Sequence, residues 1–299
     1  MSQNVYAKIT DRIVSALREG VVPWHQPWNA AQGRPRNLIS GKPYRGINLF
    51  LLLHLNEGSP FWLTYRQALQ IGGHVKKGAK GQTVIFWKFF ARKGGAQDGQ
   101  QDGQPDRKER GGFAMERAYT VFNATQCVLP EAWAEKAQVV VPEMDPAHKI
   151  AACEKIVADM PGRPAITHGG GDAFYQQSVD QVTMPEPGRF EAPELYYSIL
   201  FHELTHATGH AGRLNRATLV DALRFGDTNY SKEELVAEMG AAFLCGVAGI
   251  ENRTIDGSAG YVHGWLKKLR HDTRLLVQAA SQAQRAADYI LGLDSQHPE

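Results

Sequence analysis

Apolar residues recur at three- and four-residue spacing along much of this chain. Ile9, Ile13, Val14 and Leu17 form one stripe, so Val5 to Leu17 is predicted to be an amphipathic helix that ends at Gly20. Ile47 to Asn56 reads as a second helix, stopped by Gly58-Ser59-Pro60. Thr64 to Ile71 reads as a short third, with Thr64 as N-cap and Gly72-Gly73 closing it. Thr83 to Ala91 is β-branched and aromatic, the composition of a strand, and Tyr119 to Phe122 with Val128 is its expected partner. Further on, helices are predicted over Ala147 to Met160, Glu194 to Thr208 and Lys232 to Val247, with one or two more between Gly257 and Leu291. Ala165 to His168 and Val182 to Met184 are strand candidates.

Between these elements lie weakly patterned stretches. Residues 21–46 are rich in Pro, Gly, Trp and Arg and read as extended or looped. Residues 94–112 are low in complexity and sit between two strand-like runs, the pattern of a flexible hairpin insertion. Residues 131–146 carry little periodicity and read as a linker. The predicted organisation is therefore α+β in two domains, residues 1–130 and 147–299, the second mostly helical.

Charge sharpens that division. Residues 1–120 hold 18 Lys+Arg and 8 Asp+Glu, a net of +10, whereas residues 121–299 hold 15 and 23, a net of −8. From Gly20 to Gly95 there are 11 Lys+Arg against a single acid, Glu57, interleaved with 11 aromatics. Cations that track phosphates beside rings that stack on unpaired bases suit single-stranded nucleic acid. Arg34, Arg36, Lys42, Tyr44, Arg45, Lys76, Lys77 and Lys80 are the candidate contacts, with Trp24 and Trp62 as candidate stacking platforms. Any one of these residues could equally be core or ordinary surface. No zinc-finger or helix-turn-helix spacing is present, which argues against sequence-specific duplex reading.

Composition excludes other classes. No apolar run approaches the ~20 residues of a membrane span, and the N-terminus lacks a basic region followed by an apolar one. Three widely spaced cysteines with no CxxC read as buried thiols. A cytoplasmic protein with no membrane partner is expected.

The acidic half carries the chemistry. In His202-Glu203-Leu204-Thr205-His206 the two histidines are four apart, so a helix presents both to one ion, and Glu203 is placed to polarise a water there. Zinc sites of this kind take three protein ligands and keep one position open. Glu234 and Glu238, one turn apart in a predicted helix, supply the third. Their spacing resembles the gluzincin pattern, which makes Glu234 the candidate ligand and Glu238 the acid supporting a ligating histidine; the roles could be exchanged. Glu233 reads as a solvated face. His210, one turn beyond His206, follows Gly209 and is a weaker candidate. The donor set suits Zn2+, with Mn2+ or another divalent ion as an alternative. Tyr197, Tyr230, Tyr261, His263 and His271 are candidates by type for stabilising an oxyanion.

Both halves together resemble a known family. Pro23-Trp24, Pro27-Trp28, Asn37, Gly41-Lys-Pro-Tyr-Arg-Gly-Ile-Asn48, Trp62-Leu-Thr64, Gln67-Ala68 and Gly72-Gly-His-Val-Lys-Lys-Gly78 look like the N-terminal module of the ArdC antirestriction proteins, a module shared with plasmid primases of the TraC type. Residues 197–210, Arg213-Leu-Asn-Arg216, Glu234-Leu-Val-Ala-Glu238 and Tyr261, Trp265, Leu269 and Asp272 are similar to that family's metallopeptidase domain. The resemblance implies a single-stranded-DNA-binding module joined to a zincin-like domain. Together these would protect conjugating DNA from a recipient's restriction enzymes. Three readings remain open: a peptidase acting on a DNA-bound host restriction protein, a DNA-coating or partner-sequestering protein whose metal is structural, and a toxin-like peptidase whose basic region meets RNA or a membrane.

Overall fold

The computed structural model describes residues 5–24, 33–53, 58–90, 113–138, 144–220, 228–252 and 259–293. Trp28, the 94–112 insertion and residues 139–143 of the stretch read as a linker lie outside them.

The first half runs α1 (Val5–Arg18), β1 (Arg36–Asn37), α2 (Ile47–Leu53), β2 (Phe61–Thr64), α3 (Tyr65–Gln70), β3 (His74–Val75), β4 (Gln82–Phe90), β5 (Phe113–Asn123), β6 (Cys127–Val128) and α4 (Glu131–Ala137). Strands β1, β2, β5 and β4 form one sheet in that order; β3 and β6 form a separate pair. Thr64 caps α3 as expected, its side chain accepting from Gln67 N–H while the Gln67 side chain returns to the Thr64 N–H. Two expectations change. Val128 pairs with His74, not with β4, because the chain turns sharply at Ala124–Gln126 after leaving β5. Residues 131–137 are helical: Glu131 in the first turn and Lys136 in the last suit the helix dipole.

The second half runs α5 (Pro146–Asp159), β7 (Ala165–His168), β8 (Phe174–Gln176), β9 (Gln181–Met184), α6 (Pro193–Ala207), α7 (Ala217–Val220), α8 (Thr228–Ala248), α9 (Ala259–His271) and α10 (Leu275–Ile290). Its small sheet has the order β7-β9-β8. From Ser231 to Cys245 only Lys232 and Glu234 are even half-exposed, so this stretch of α8 is buried around most of its circumference, as a largely apolar helix is. Gly240 permits α6 to come close, since a Cβ there would meet the Thr205 side chain at 2.4 Å. The three cysteines are free and buried.

The two domains share one core. Ile9, Ile13, Leu17, Trp24, Leu49 and Phe50 of the first half pack in the same cluster as Phe201, Leu204, Phe243, Leu276 and Ala280 of the second. Phe50 stacks on Phe243 with centroids 4.8 Å apart, and Trp24 meets Trp265 edge to face at 6.4 Å. Polar contacts stitch the same seam: Thr10 Oγ1 donates to Thr273 O at 2.9 Å, Gly46 N–H to Gln284 Oε1 at 3.1 Å, and Arg45 pairs with Asp288. Of these, the Arg45–Asp288 pair joins a cation of the basic half to an acid of the other.

Candidate metal centre

Helix α6 begins at Pro193, whose missing N–H costs nothing in a first turn. Its last turns carry His202, Glu203 and His206. On one face, His202 Nε2 and His206 Nε2 lie 3.1 Å apart. Across from them, α8 brings the Glu234 carboxylate to 3.6 Å from His202 Nε2 and 3.5 Å from His206 Nε2. One ligand atom from each of the three lies within 4.8 Å of the others, a set that could hold one ion. Two imidazole nitrogens and a carboxylate oxygen gathered this closely also match the chemistry of a divalent cation. Glu203, next along α6, is 8% exposed.

Glu233 corrects the sequence reading. Far from being solvated, it is 2% exposed. Its Oε1 faces His206 Nδ1 at 3.4 Å, and Arg216 and the Thr218 hydroxyl donate to it, Arg216 Nε at 3.2 Å and Thr218 Oγ1 at 2.6 Å. Glu233 therefore occupies the place expected of Glu238, as the acid behind an imidazole of the pair. The reason is packing: this part of α8 is mostly buried, and at Glu233 it meets His206, Arg216 and Thr218 rather than solvent. Burial pulls the His206 imidazole down, but Glu233, Glu234 and Glu203 outweigh it and raise it. Burial likewise pushes the Glu233 carboxyl up, but hydrogen bonds from His206 and Arg216 and the Arg216 charge hold it well below the ordinary range.

Glu238 is buried too, and its Oε2 accepts the Trp24 indole N–H at 2.8 Å. It does not join the three-residue cluster. His210 lies in the turn after α6, its Nδ1 accepting Gly212 N–H at 3.1 Å.

The end of α6 is built by the segment that follows it. Asn215 adopts φ 46°, a left-handed position that asparagine tolerates. The chain folds back, with Leu214 N–H on Thr208 O and Arg216 N–H on Gly209 O. Arg213 Nε then donates to Ala207 O at 2.7 Å and Arg216 Nη2 to Thr205 O at 2.7 Å. Two guanidinium groups thus satisfy the last carbonyls of the helix that carries the histidines. Sequence reasoning gave these arginines no role; a pair of basic residues within ten positions of a helix end was the available signal.

A cleft of about 500 Å³ flanks the N-terminal turns of α6, lined by Glu154, Arg163, His168, Tyr196, Tyr197 and Leu200, and does not include His202. Tyr197 OH there lies 3.5 Å from Glu154 Oε1, so it faces away from the three-residue cluster. His263 is exposed, while the side chains of Tyr230, Tyr261 and His271 lie outside the described residues.

The residues expected to meet DNA divide. Lys42, Lys77 and Lys80 are exposed; so is Lys76, whose Nζ donates to Thr125 O at 2.8 Å. Arg34 is half-buried and reaches Gln284 at 3.4 Å, and Arg36 sits over the Phe61 ring. The charge of Arg45 is engaged by Asp288. Trp24 and Trp62 are each 1% exposed, so as stacking platforms both are corrected to core residues. Tyr44, also buried, lines a cleft wall.

These features define a two-module protein. Residues 3–122 match the N-terminal domain of anti-restriction factor ArdC, and residues 151–282 match a zincin-like metallopeptidase domain. The chain belongs to the ArdC family of antirestriction proteins. It is 35% identical to the antirestriction ArdC protein from plasmid R388, whose metal-free crystal structure superposes with a TM-score of 0.71 over 96% of this chain and 97% of that one. A Mn(II)-bound crystal structure of that protein, 33% identical, also gives 0.71, over 97% and 98% of the two chains. The uncharacterized protein y4eC of Sinorhizobium fredii (strain NBRC 101917 / NGR234) is 34% identical over 96% of this chain and 91% of its own length. Two DNA primases TraC of Escherichia coli are 34% and 32% identical, but this chain spans only 20% and 27% of their lengths. Among the described residues no helix is long and apolar enough to cross a membrane.

Proposed function

We propose that this antirestriction protein binds single-stranded DNA through its basic half, residues 1–130, and acts through a divalent-metal hydrolase centre in residues 147–299, in the cytoplasm of a cell receiving conjugated DNA. The observation that carries the reading is the convergence of His202, His206 and Glu234 with Glu203 beside them on α6. His202, His206 and Glu234 would hold the ion, Zn2+ or Mn2+. Bound there, such an ion supplies Lewis acidity toward a water and a peptide carbonyl. Glu203 takes the water proton and returns it to the leaving amine. Glu233 keeps the His206 ring oriented with Nε2 toward the centre, and Arg216 keeps Glu233 ionised. The target in this reading is a host restriction protein held near the DNA.

The test compares metal content, DNA binding and protection. Wild type is expected to carry about one divalent ion per chain by elemental analysis, and His206→Ala and Glu234→Ala to lose it. Glu203→Gln should keep metal and DNA binding yet transfer a plasmid into a restricting recipient no better than a strain lacking the protein. Full protection by Glu203→Gln would sink the hydrolase reading and leave a DNA-coating protein with a structural metal.

A further inference from the structure

We propose that the outer face of the four-stranded sheet holds a nucleobase subsite for single-stranded DNA, centred on Tyr44, Phe86 and Tyr119. The proposal rests on the DNA-binding reading of the basic half and gives it an address. A cleft of about 430 Å³ opens on this face, within the roughly 300–1,000 Å³ of small-ligand sites. One wall is aromatic: Tyr44 and Phe86 centroids lie 6.2 Å apart, and Phe86 and Tyr119 meet edge to face at 5.7 Å. Tyr119 is 41% exposed, a large ring left partly in water beside a cleft.

The opposite wall is polar and fixed. Asn37 Nδ2 donates to Gln67 Oε1 at 3.1 Å, and the Gln67 side chain also caps α3. The Asn37 carbonyl takes the Ile39 and Ser40 N–H groups at 3.1 and 3.0 Å. Thr64 accepts from Gln67 N–H and keeps its own hydroxyl proton to give. An apolar slot with a rigid polar edge suits a flat heterocycle, which presents a π face and a hydrogen-bonding rim. At the mouth stands the exposed Lys42, placed for a phosphate.

Strand register extends the site. Thr64 pairs with Val121, Val121 with Gln82, and Trp62 with Asn123, so the next row on the same face leads to a second cleft of about 300 Å³. That cleft lies beneath Gly78, Ala79 and the exposed Lys80, with the buried Trp62 ring as its floor. A strand crossing from Lys42 to Lys80 would thus meet cation, rings and cation in turn. Duplex DNA, with its base faces stacked, has nothing to place in the slot.

The experiment measures binding of a fluorescent dT oligonucleotide of about 15 nucleotides to the full chain, with thermal melts confirming that the variants fold. Tyr119→Ala is expected to weaken binding about 5- to 100-fold, the effect of losing one stacked base, while Tyr119→Phe keeps it. On an abasic strand of the same length, wild type and Tyr119→Ala should bind alike. Equal dT affinity for wild type and Tyr119→Ala overturns the subsite while leaving the DNA-binding reading intact. A variant that loses dT and abasic strands equally also overturns it, since the ring then acts through the fold. So does dTMP binding as tightly as the oligonucleotide, which would make the ligand a free nucleotide. A wild type that binds no dT strand overturns both readings together.

Discussion

Glu233→Ala is expected to cost the fold about 3–5 kcal/mol, read as a shift in the urea midpoint at constant slope. The magnitude follows from what the substitution leaves behind. Arg216 is 6% exposed, and its guanidinium would keep its bonds to Thr205 O and Thr208 while losing the carboxylate that balances its charge. A buried cation without a partner is far more costly than the loss of a surface pair. His206 would lose the acid facing its Nδ1, so the ring could turn, and metal affinity should fall about 10- to 100-fold. Glu233→Gln separates the two effects: it fills the same volume and can still accept from Thr218 and Arg216, so it should retain more stability than alanine while giving up the charge. A Glu233→Ala variant within about 0.5 kcal/mol of wild type, the range of ordinary surface changes, would show that the acid is solvated after all.

That pair of acids also marks where sequence reasoning stopped. The HExxH helix was legible because a four-residue spacing has one geometric meaning on a helix. For the downstream helix, the one-turn spacing of Glu234 and Glu238 and its likeness to the gluzincin pattern gave the supporting role to Glu238 and read Glu233 as solvated. That reading failed because α8 is buried around most of its circumference from Ser231 to Cys245, so hydrophobic periodicity marks no clear polar face there. Strand β2 was missed for a related reason. Its four residues, Phe61–Thr64, sit between a Gly-Ser-Pro turn and a helix cap, and the partner that makes them a strand is almost sixty positions away at Val121–Asn123. The basic half was read correctly as cation-rich, yet its tryptophans were given to DNA. Trp24 could be seen as a core residue only by knowing that an acid from the other half reaches its N–H. Long-range pairing, not local pattern, decided each of these cases.

Trp24 is the residue at which the two domains are expected to prove interdependent. Trp24→Ala should cost about 3–5 kcal/mol, the usual loss for a buried tryptophan, and should loosen the acidic half as much as the basic one. The ring packs edge to face on Trp265 and lies in the shared core, its backbone carbonyl accepts from Asn252 Nδ2 at 3.3 Å, and its indole N–H meets a Glu238 carboxylate that is 4% exposed. Trp24→Phe isolates the polar part. It retains most of the apolar body but leaves that oxygen of Glu238 without the indole donor, at a cost of about 1–3 kcal/mol. Glu238 sits one helical turn beyond Glu234, so the Phe variant should also weaken metal binding more than its loss of stability alone predicts. The measurement is urea unfolding followed separately in the two halves, by exchange of backbone amides, with a metal titration of each variant. One cooperative transition that moves together in both halves is the expected result. If Trp24→Ala unfolded the basic half and left α6 and α8 protected, the shared core would be a contact between independent domains, and Glu238 would not need the indole to hold its place.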